Sequence, residues 1–332
     1  MDHTAPFSIQ VEFVEGCNLR CGFCGIRNIR PKGDKDNRSG PYKFMSIETA
    51  TALAQQIEAS GWPSRIEFAM HGEPTMHPNL YELVGIFRSL LPKNSLMMTS
   101  NGVPLLEGDI VKNINQLFDY GLNCLAIDDY RPHVVAPKVR SSASDIRANI
   151  YEYPEIREET PNKRRKPTER VVLLVEDISA ADDGTHSNLW NHAGSAFEAS
   201  DEFIDRACAK PFRELSVRWD GNVAICCDDW TGKYAVGNIN DVGAQSIWNH
   251  PRMQSARKVL LRGRHGLTPC AGCTHRTYRN GLLPFNGQKK YGDRESYPLP
   301  TEKDWEIIDD AVAEIEYSPP VRREIPVALR VK

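Results

Sequence analysis

The sequence predicts an α/β protein built on a mostly parallel sheet, followed by a smaller segment of different character. Strand-like and helix-like runs alternate through the first half of the chain, and this alternation fades after about Gly194. Beyond that residue a hairpin pattern turns at Asp220-Gly221, and the same part of the chain holds five of the nine cysteines. Repeated strand–helix units imply right-handed crossovers, which fit either a barrel or a doubly wound sheet.

The individual elements are inferred from periodicity and from the residues that flank each run. Ser8–Glu15 alternates in period two, which is typical of a strand, and Ser46 is expected to cap the first long helix. Further strands are expected at Arg65–Met70, Ser95–Thr99, Cys124–Ile127 and Val171–Val175. Helices are expected at Ile47–Ala59, Leu80–Leu91, Gly108–Tyr120, Ser144–Tyr151, Ala244–Arg262 and Glu302–Glu314. Residues 30–41 and 281–300 are expected to be irregular because they are rich in Gly, Pro and polar residues.

Composition narrows the class of protein. With 332 residues, 40% of them hydrophobic, the chain is large enough to bury a proper core. A net charge of −3 argues against a protein that coats nucleic acid, although a single nucleotide stays possible as a substrate. The chain has no apolar run of membrane length and no secretion signal, so a cytoplasmic address is expected. Nine cysteines in a reducing compartment favour metal ligation or catalysis over disulfides.

The first cysteine group, Cys17, Cys21 and Cys24, follows the first strand with CxxxCxxC spacing. A four-iron cubane normally takes four thiolates, so three thiolates on one loop leave one iron open to a further ligand. The alternatives are a zinc site that lacks its fourth ligand and a set of unrelated buried thiols. Active sites of α/β proteins lie at the carboxyl ends of strands, and this position favours the cluster.

The stretch EGCNLRCGFCG resembles the signature loop of the radical S-adenosylmethionine (SAM) superfamily, with Phe23 as the aromatic residue before the third cysteine. Gly72-Glu73-Pro74 after the second strand is similar to the family's GGEP motif, although His71 stands where the first glycine is usual. Ser100-Asn101, after the third strand, is similar to the family's TNG element. Both short motifs are also good turn formers. Their order at successive strand ends supports the resemblance.

The resemblance implies a partial (β/α)6 barrel of the TIM-like type with a cluster of the [4Fe–4S] kind on Cys17, Cys21 and Cys24. It implies that Phe23, Gly72, Glu73, Pro74, Ser100 and Asn101 help to bind S-adenosylmethionine. In this family the reduced cluster splits the sulfonium of that cofactor, and the 5′-deoxyadenosyl radical so formed removes a hydrogen atom from a substrate carbon.

The second cysteine group contains Cys208, Cys226, Cys227, Cys270 and Cys273, one more thiol than a closed cluster needs. Four cysteines that end in CxxC also describe zinc ribbons, so spacing alone leaves zinc open. The pattern resembles the twitch domain, a shortened SPASM domain, in which the first cysteine of the adjacent pair is the ligand. That resemblance implies one auxiliary [4Fe–4S] cluster on Cys208, Cys226, Cys270 and Cys273, in a small C-terminal α+β domain. Cys124, within an expected strand, is interpreted as a core thiol.

Other polar residues are weaker candidates. Asp128 and Asp129 follow the fourth strand and are candidate catalytic residues, with a helix cap or turn as the alternative. The basic run 163–166 is assigned no partner, since such runs are usually solvated loops. We expect three units: a radical SAM barrel over residues 1–195, a twitch or SPASM-like domain over 196–300, and a terminal helix and tail over 301–332.

The expected function is hydrogen abstraction that leads to oxidation or rearrangement of a small molecule or nucleoside. The architecture resembles twitch-domain dehydrogenases of aminoglycoside biosynthesis, which oxidise an alcohol, and more distantly phage radical isomerases that hypermodify thymine. Peptide maturases rank lower, because the first strand begins near residue 8 and leaves no room for a leader-binding module. The expected partners are the substrate and an electron donor such as flavodoxin or ferredoxin. A non-catalytic electron carrier and a zinc-stabilised binding protein are the rival classes.

Overall fold

The computed structural model describes residues 5–21, 23–26, 42–130, 133–153, 163–175 and 191–275. The irregular segments expected at 30–41 and 281–300, and the helix expected at 302–314, lie outside the described residues. The proposed boundaries at 195/196 and 300/301 stay predictions.

The described residues form one long sheet and one short ribbon. The strands are β1 (Ser8–Val11), β2 (Val14–Glu15), β3 (Lys43–Phe44), β4 (Arg65–Phe68), β5 (Leu96–Ser100), β6 (Cys124–Asp128), β7 (Asn149–Tyr153), β8 (Val171–Val175), β9 (Glu214–Val217), β10 (Asn222–Ala224) and β11 (Ala235–Asn238). Within these residues the long sheet has the order β11-β10-β9-β1-β4-β5-β6-β8-β7, while β2 pairs with β3. Strands from β9 across to β7 run parallel to one another, whereas β10 pairs antiparallel with both β9 and β11.

Helices alternate with the parallel strands, as the periodicity predicts. They are α1 (Ile47–Ser60), α2 (Leu80–Leu90), α3 (Ile110–Asp119), α4 (Ala136–Ser141), α5 (Lys210–Arg213), α6 (Ala244–Trp248) and α7 (Pro251–Leu260). Ser46 caps α1 as expected, because its side chain accepts a hydrogen bond from the Thr49 amide. The α/β class and the partial barrel are therefore confirmed. No helix in the described ranges is long and apolar enough to cross a membrane.

One predicted helix is wrong. Residues 144–151 were expected to be helical, but Asn149–Tyr153 forms β7 at the edge of the sheet, parallel to β8. The segment contains Ile150, Tyr151 and Tyr153, and β-branched and aromatic residues fit a half-buried pleated surface better than a helix. The helix before it, α4, is earlier and shorter than predicted.

Two further elements are interrupted. The strand expected over Ser8–Glu15 divides into β1 and β2 on either side of Glu12 and Phe13, which are both buried. The helix expected over Ala244–Arg262 divides into α6 and α7, because Pro251 lacks the amide that a continuous helix would need at that position. The break at Glu12 matters for the site described below.

The two faces of the long sheet differ in character. Alternate residues such as Ile9, Phe68 and Leu125 face the helices and belong to the main hydrophobic core. In the register of the parallel strands, the opposite face carries a row that is polar at one end and apolar at the other. Its members, from β9 to β8, are Ser216, Gln10, Glu67, Met97, Cys124 and Val171. This second face is the interior of the partial barrel, and Cys124 packs there as the predicted core thiol.

Asn123 ties together the amino-terminal ends of the parallel strands. Its Oδ1 atom accepts from the Leu96 amide at 2.9 Å and from Arg88 Nη2 at 2.6 Å. Its Nδ2 atom donates to the backbone oxygens of Lys166, Pro167 and Glu169. The side chain is fully buried, so every one of these groups needs its partner.

Replacing Asn123 with alanine is expected to reduce the free energy of unfolding by about 3 kcal/mol, since it leaves buried donors and acceptors without partners. Urea unfolding followed by circular dichroism measures the loss. The matched control is Asn115→Ala, which removes two hydrogen bonds in an exposed setting and should cost about 1 kcal/mol. Equal losses for the two variants would contradict the role assigned to Asn123.

Candidate functional site

The first cysteine loop begins directly after β2, at the carboxyl end of the parallel strands. Cys17, Cys21 and Cys24 are all partly buried. Cys17 Sγ accepts from the Leu19 amide at 3.4 Å and from Asn101 Nδ2 at 3.5 Å. Asn101 therefore brings the end of β5 to the first cysteine, as the sequence motifs predict.

The three thiols share one site. Burial raises the pKa of the Cys17 thiol, and the neighbouring charges of Glu73, Cys24 and Cys21 act in the same direction. Groups that shift one another's pKa in this way lie close together. Three sulfur atoms on one short loop are the donor set that a site-differentiated iron–sulfur cubane takes, and thus the residues fit that group.

Gly72 allows the end of β4 to approach this loop. The backbone of Gly72 bridges that of Gly16, and the Glu73 amide donates to Gly16 O at 2.9 Å. A Cβ atom on Gly72 would lie 2.0 Å from Val14 O and 2.5 Å from Gly16 O. Only glycine fits this position, so the motif has a steric reason as well as a resemblance.

Glu73 is the centre of a buried hydrogen-bond network. Its Oε1 atom accepts from Thr75 Oγ1 at 2.5 Å and from Ser100 Oγ at 2.6 Å, and its Oε2 atom accepts from the Asn101 amide at 2.7 Å. Burial raises the pKa of Glu73, while these hydrogen bonds act against the shift. Pro74 begins a short 3-10 turn that Glu73 caps. The network joins the ends of β4 and β5 and holds both predicted motifs beside Cys17.

Asp128 lies on the same edge, at the end of β6. The hydroxyl of Tyr130 donates to Asp128 Oδ2 at 3.4 Å, and the Tyr130 ring is 5.4 Å from that of Phe23 in the cysteine loop. Burial raises the pKa of Asp128 to about 7, with a smaller contribution from the charge of Glu73. A carboxyl group with this pKa exchanges a proton near neutral pH.

Asp129 has a different setting from its neighbour. Its Oδ2 atom accepts from the amides of Val135 at 3.2 Å and Ala136 at 2.8 Å, at the start of α4. The carboxylate thus stabilises the end of a helix, which is the alternative that the sequence left open. Of the two aspartates, Asp128 is the one whose alternating position on β6 matches the interior face.

The second cysteine group also converges. Charges on Cys270 and Cys208 influence each other, as do those on Cys270 and Cys226, and on Cys273 and Cys208. Burial raises the pKa of all four thiols, to about 11 for Cys273, and Arg264 acts against the shift in Cys208, Cys270 and Cys273. Arg264 is itself buried and donates to the carbonyl oxygens of Cys273 and His275. Three buried thiols and the partly buried Cys208, close to one another and to a buried arginine, are the donor set that a closed cluster takes.

Cys227 turns away from this group. Lys210 Nζ donates to Cys227 Sγ at 2.8 Å and lies 3.4 Å from Glu214 Oε2. Glu214 also accepts from Gln10 Nε2 at 3.3 Å, which places this chain of contacts at the polar side of the barrel interior. The pair lies in the turn after β10, and Cys227 Sγ has partners of its own in Lys210 and Glu214.

Sequence reasoning missed the residues that connect the two cysteine groups. His71 was noted only as a departure from a glycine, yet its imidazole contacts both Glu12 and Cys227. The ring of Trp230 contacts that of His71, and Trp230 was not predicted from the sequence as a site residue. The available signal was the charged Glu12 in a strand whose neighbours are apolar, because a buried carboxylate requires a partner.

Two family models match the chain. Residues 11–128 match the radical SAM superfamily, a range that contains the first three cysteines, both short motifs and Asp128. Residues 208–274 match an iron–sulfur cluster-binding domain, SPASM, a range that contains all five later cysteines. The second match favours an iron–sulfur cluster over zinc at that site.

Individual relatives agree with these matches. The chain is 23% identical over 268 residues to the S-adenosyl-L-methionine-dependent 2-deoxy-scyllo-inosamine dehydrogenase of Niallia circulans. This match covers 80% of this chain and 92% of that protein. It is 27% identical over 128 residues to the GTP 3′,8-cyclase of a Nostoc species, covering 38% of this chain and 36% of the cyclase.

Solved structures give the same picture of the fold. BtrN in complex with AdoMet and 2-DOIA matches with a TM-score of 0.60 at 21% identity, over 81% of this chain and 93% of BtrN. BtrN in an open conformation matches with a TM-score of 0.53 at 21% identity, over 81% of this chain and 92% of BtrN. Together with the cysteine geometry, these findings identify the chain as a radical SAM superfamily enzyme, which takes a [4Fe–4S] cluster and S-adenosylmethionine and carries a second domain for an auxiliary iron–sulfur cluster.

Proposed function

We propose that the enzyme oxidises a hydroxyl-bearing carbon of a small molecule held in the barrel interior, with Asp128 as the proton acceptor. The observation that carries this proposal is the position and pKa of Asp128. Its carboxyl group follows β6 on the interior face, next to the first cysteine loop, and burial brings its pKa to about 7. Removing a hydroxyl proton is the acid–base step that alcohol oxidation requires.

The cluster ligands follow from the two convergent groups of thiols. We assign Cys17, Cys21 and Cys24 to the cluster that binds S-adenosylmethionine, and Cys208, Cys226, Cys270 and Cys273 to the auxiliary cluster. When bound, these groups supply a 5′-deoxyadenosyl radical that removes a hydrogen atom and an acceptor for the electron left on the substrate. Glu73 fixes Ser100 and Asn101 beside Cys17, so the residues expected to hold S-adenosylmethionine keep one arrangement.

The interior has two different walls, which suit a ring with hydroxyl groups. Gln10, Glu67 and Glu214 line one side, and each glutamate keeps part of its surface accessible. Met97, Cys124 and Leu173 form the other side. Carboxylate and amide groups accept hydrogen bonds from hydroxyl or ammonium groups, while the apolar wall contacts the ring face. This division holds one substrate C–H in a fixed orientation.

The relatives support the same class of reaction. The Niallia circulans enzyme is, by its name, a 2-deoxy-scyllo-inosamine dehydrogenase, and the match spans 92% of its length. A radical isomerase acting on thymine or a peptide maturase would instead give a rearranged or peptide product. An electron donor of the flavodoxin or ferredoxin type is required to start each turnover. We assign the reaction to the cytoplasm, since all nine cysteines are unbridged thiols.

The direct test uses a substrate panel with deuterium at each carbinol carbon, beginning with aminocyclitols. Deuterium is expected in 5′-deoxyadenosine, together with a ketone product, for the carbon that lies in the site. Mass spectrometry of both products makes the measurement. Deuterium transfer with a product of unchanged oxidation level would contradict dehydrogenation and favour an isomerase. A panel that gives 5′-deoxyadenosine without deuterium would exclude these substrates.

Product formation is expected to rise as the pH increases through about 7, because the deprotonated form of Asp128 accepts the proton. Asp128→Asn should reduce turnover by about 100-fold or more and flatten this pH dependence. Asp129→Asn is the matched control. It keeps a side-chain oxygen that can accept from the amides at the start of α4, and it should leave the pH profile in place. A sloping profile that survives in Asp128→Asn would show that another group is the base.

The assignment of Cys226 and not Cys227 as a ligand is tested by metal content. In anaerobically reconstituted protein, Cys226→Ser should lose about half of the bound iron and sulfide, since one of two clusters is destabilised. Cys227→Ser should retain all of the bound iron and sulfide, because Cys227 Sγ is hydrogen-bonded to Lys210 and is not assigned as a ligand. The reverse pattern of iron loss would make Cys227 the ligand.

A further inference from the structure

His71 occupies a fully buried position between the two cysteine-bearing loops. It follows β4, one residue before the glycine that approaches the first loop. Its Nδ1 atom lies 2.7 Å from Glu12 Oε1, and its Nε2 atom lies 2.7 Å from the backbone oxygen of Cys227. One ring thus contacts the break between β1 and β2 on one side and the backbone beside the auxiliary ligands on the other.

Both ring nitrogens of His71 face hydrogen-bond acceptors. The carbonyl oxygen of Cys227 can only accept, so Nε2 must carry a proton. Glu12 is ionised: burial raises its pKa, but the charges of His71 and Arg218 outweigh burial and hold the pKa below its ordinary value. The 2.7 Å distance from Nδ1 to this carboxylate is that of a buried ion pair, in which His71 is the cation and Glu12 the anion.

The negative charge of Glu12 is compensated from two sides, by His71 and by Arg218. Arg218 Nε lies 3.6 Å from Glu12 Oε2, and the Trp219 amide donates to the same oxygen at 3.1 Å. Burial raises the pKa of Asp229, on the auxiliary loop, while the amides of Tyr234 and Lys233 and the charges of Arg218 and His71 act against the shift. Glu12 would keep Arg218 as a partner if His71 were neutral, so the fold does not depend on His71 alone.

Trp230 extends the contact to the first cysteine loop. Its ring contacts that of His71 in a tilted arrangement, with the centroids 4.5 Å apart and an interplanar angle of 38°. A Cβ atom on Gly25, the residue after Cys24, would lie 2.8 Å from the indole ring of Trp230. The first cysteine loop therefore packs directly on this indole. His71 and Trp230 together fill the space between Cys24 and Cys227.

We propose that His71 is a positioning residue for the auxiliary cluster: its imidazolium holds the backbone of the Cys226–Cys227 pair against the end of β4 and adds a positive charge beside the cluster. The inference rests on the assignment of that cluster to Cys208, Cys226, Cys270 and Cys273 under the proposed function. A nearby positive charge stabilises the more negative, reduced state of an iron–sulfur cluster and so raises its midpoint potential. The direct hydrogen bond fixes where the pair stands relative to the first loop.

Two variants separate the charge from the hydrogen bond. His71→Gln removes the charge but keeps an amide that can donate to Cys227 O. His71→Gly introduces the residue usual in the family motif and removes both. The matched control is His77→Gln, since His77 is also buried and its Nε2 contacts the Met45 carbonyl at 2.9 Å, away from either cysteine group. Should His71→Gln fold poorly, His71→Asn serves the same purpose, because it is also neutral and carries an amide.

The measurement is a potentiometric titration followed by EPR, in which the two clusters of the anaerobic enzyme are resolved. His71→Gln, or His71→Asn in its place, is expected to lower the midpoint potential of the auxiliary cluster and to shift that of the first cluster less. His71→Gly should in addition change the auxiliary g values and reduce the product formed per 5′-deoxyadenosine by about tenfold, the scale of a small misplacement. His77→Gln should change none of these values.

An auxiliary potential and g values that equal those of the wild type in both His71 variants, with both clusters fully loaded, would overturn the inference and leave the proposed function intact. A wild-type enzyme that shows only one cluster would overturn the ligand assignment and the inference together. If His71→Gln and His77→Gln shifted the midpoint potentials of both clusters by the same amount, His71 would act only through general stability. That result would also overturn the proposal.

Discussion

Strand β1 is the element on which the arrangement of both cysteine groups depends. It is hydrogen-bonded to β4 on one side and to β9 on the other, in parallel register over all four of its residues. The chain leaves β1 into the first cysteine loop, and β9 begins the hairpin that leads to Cys226. One continuous sheet therefore fixes two sites that are far apart in sequence. Parallel pairing of this kind tolerates no slip, because a shift of one residue would move every side chain to the other face.

Buried carboxylates complete what the sheet begins. Glu12 and Glu73 lie at the ends of β1 and β4 and are almost inaccessible to solvent. Glu73 is satisfied by hydroxyl and amide donors from β5, whereas Glu12 is satisfied by two cations. The first arrangement is a hydrogen-bond network beside Cys17, and the second is an ion-paired contact toward Cys227. A buried carboxylate is stable only when several donors or cations surround it. Because these partners come from different loops, the loops can pack in only one arrangement.

Much of this architecture was accessible from the sequence, because it follows from local patterns. The strands β4, β5, β6 and β8, the cap at Ser46 and the order of the motifs after each strand all come from periodicity and spacing. The edge strand β7 was missed because short half-buried segments give no clear period. Its place outside β8 depends on tertiary pairing alone.

The functional site likewise contains residues that local patterns predict and residues that only the folded structure reveals. Cys17, Glu73, Ser100 and Asn101 lie together because the segments that carry them follow the neighbouring parallel strands β1, β4 and β5. The different settings of Asp128 and Asp129 could not be predicted, because adjacent aspartates differ only in which face of β6 they follow. His71, Trp230 and Lys210 were missed for a related reason: their partners lie more than about ten residues away and leave no trace in spacing.

The contact between Lys210 and Cys227 bears on how the auxiliary site is assembled. Five cysteines lie in this part of the chain, and a delivered iron–sulfur unit could in principle engage the wrong set of four. The ammonium group of Lys210 engages Cys227 Sγ at 2.8 Å and directs it toward Glu214. We propose that this contact keeps Cys227 out of the ligand set, so that the auxiliary cluster forms on the other four cysteines.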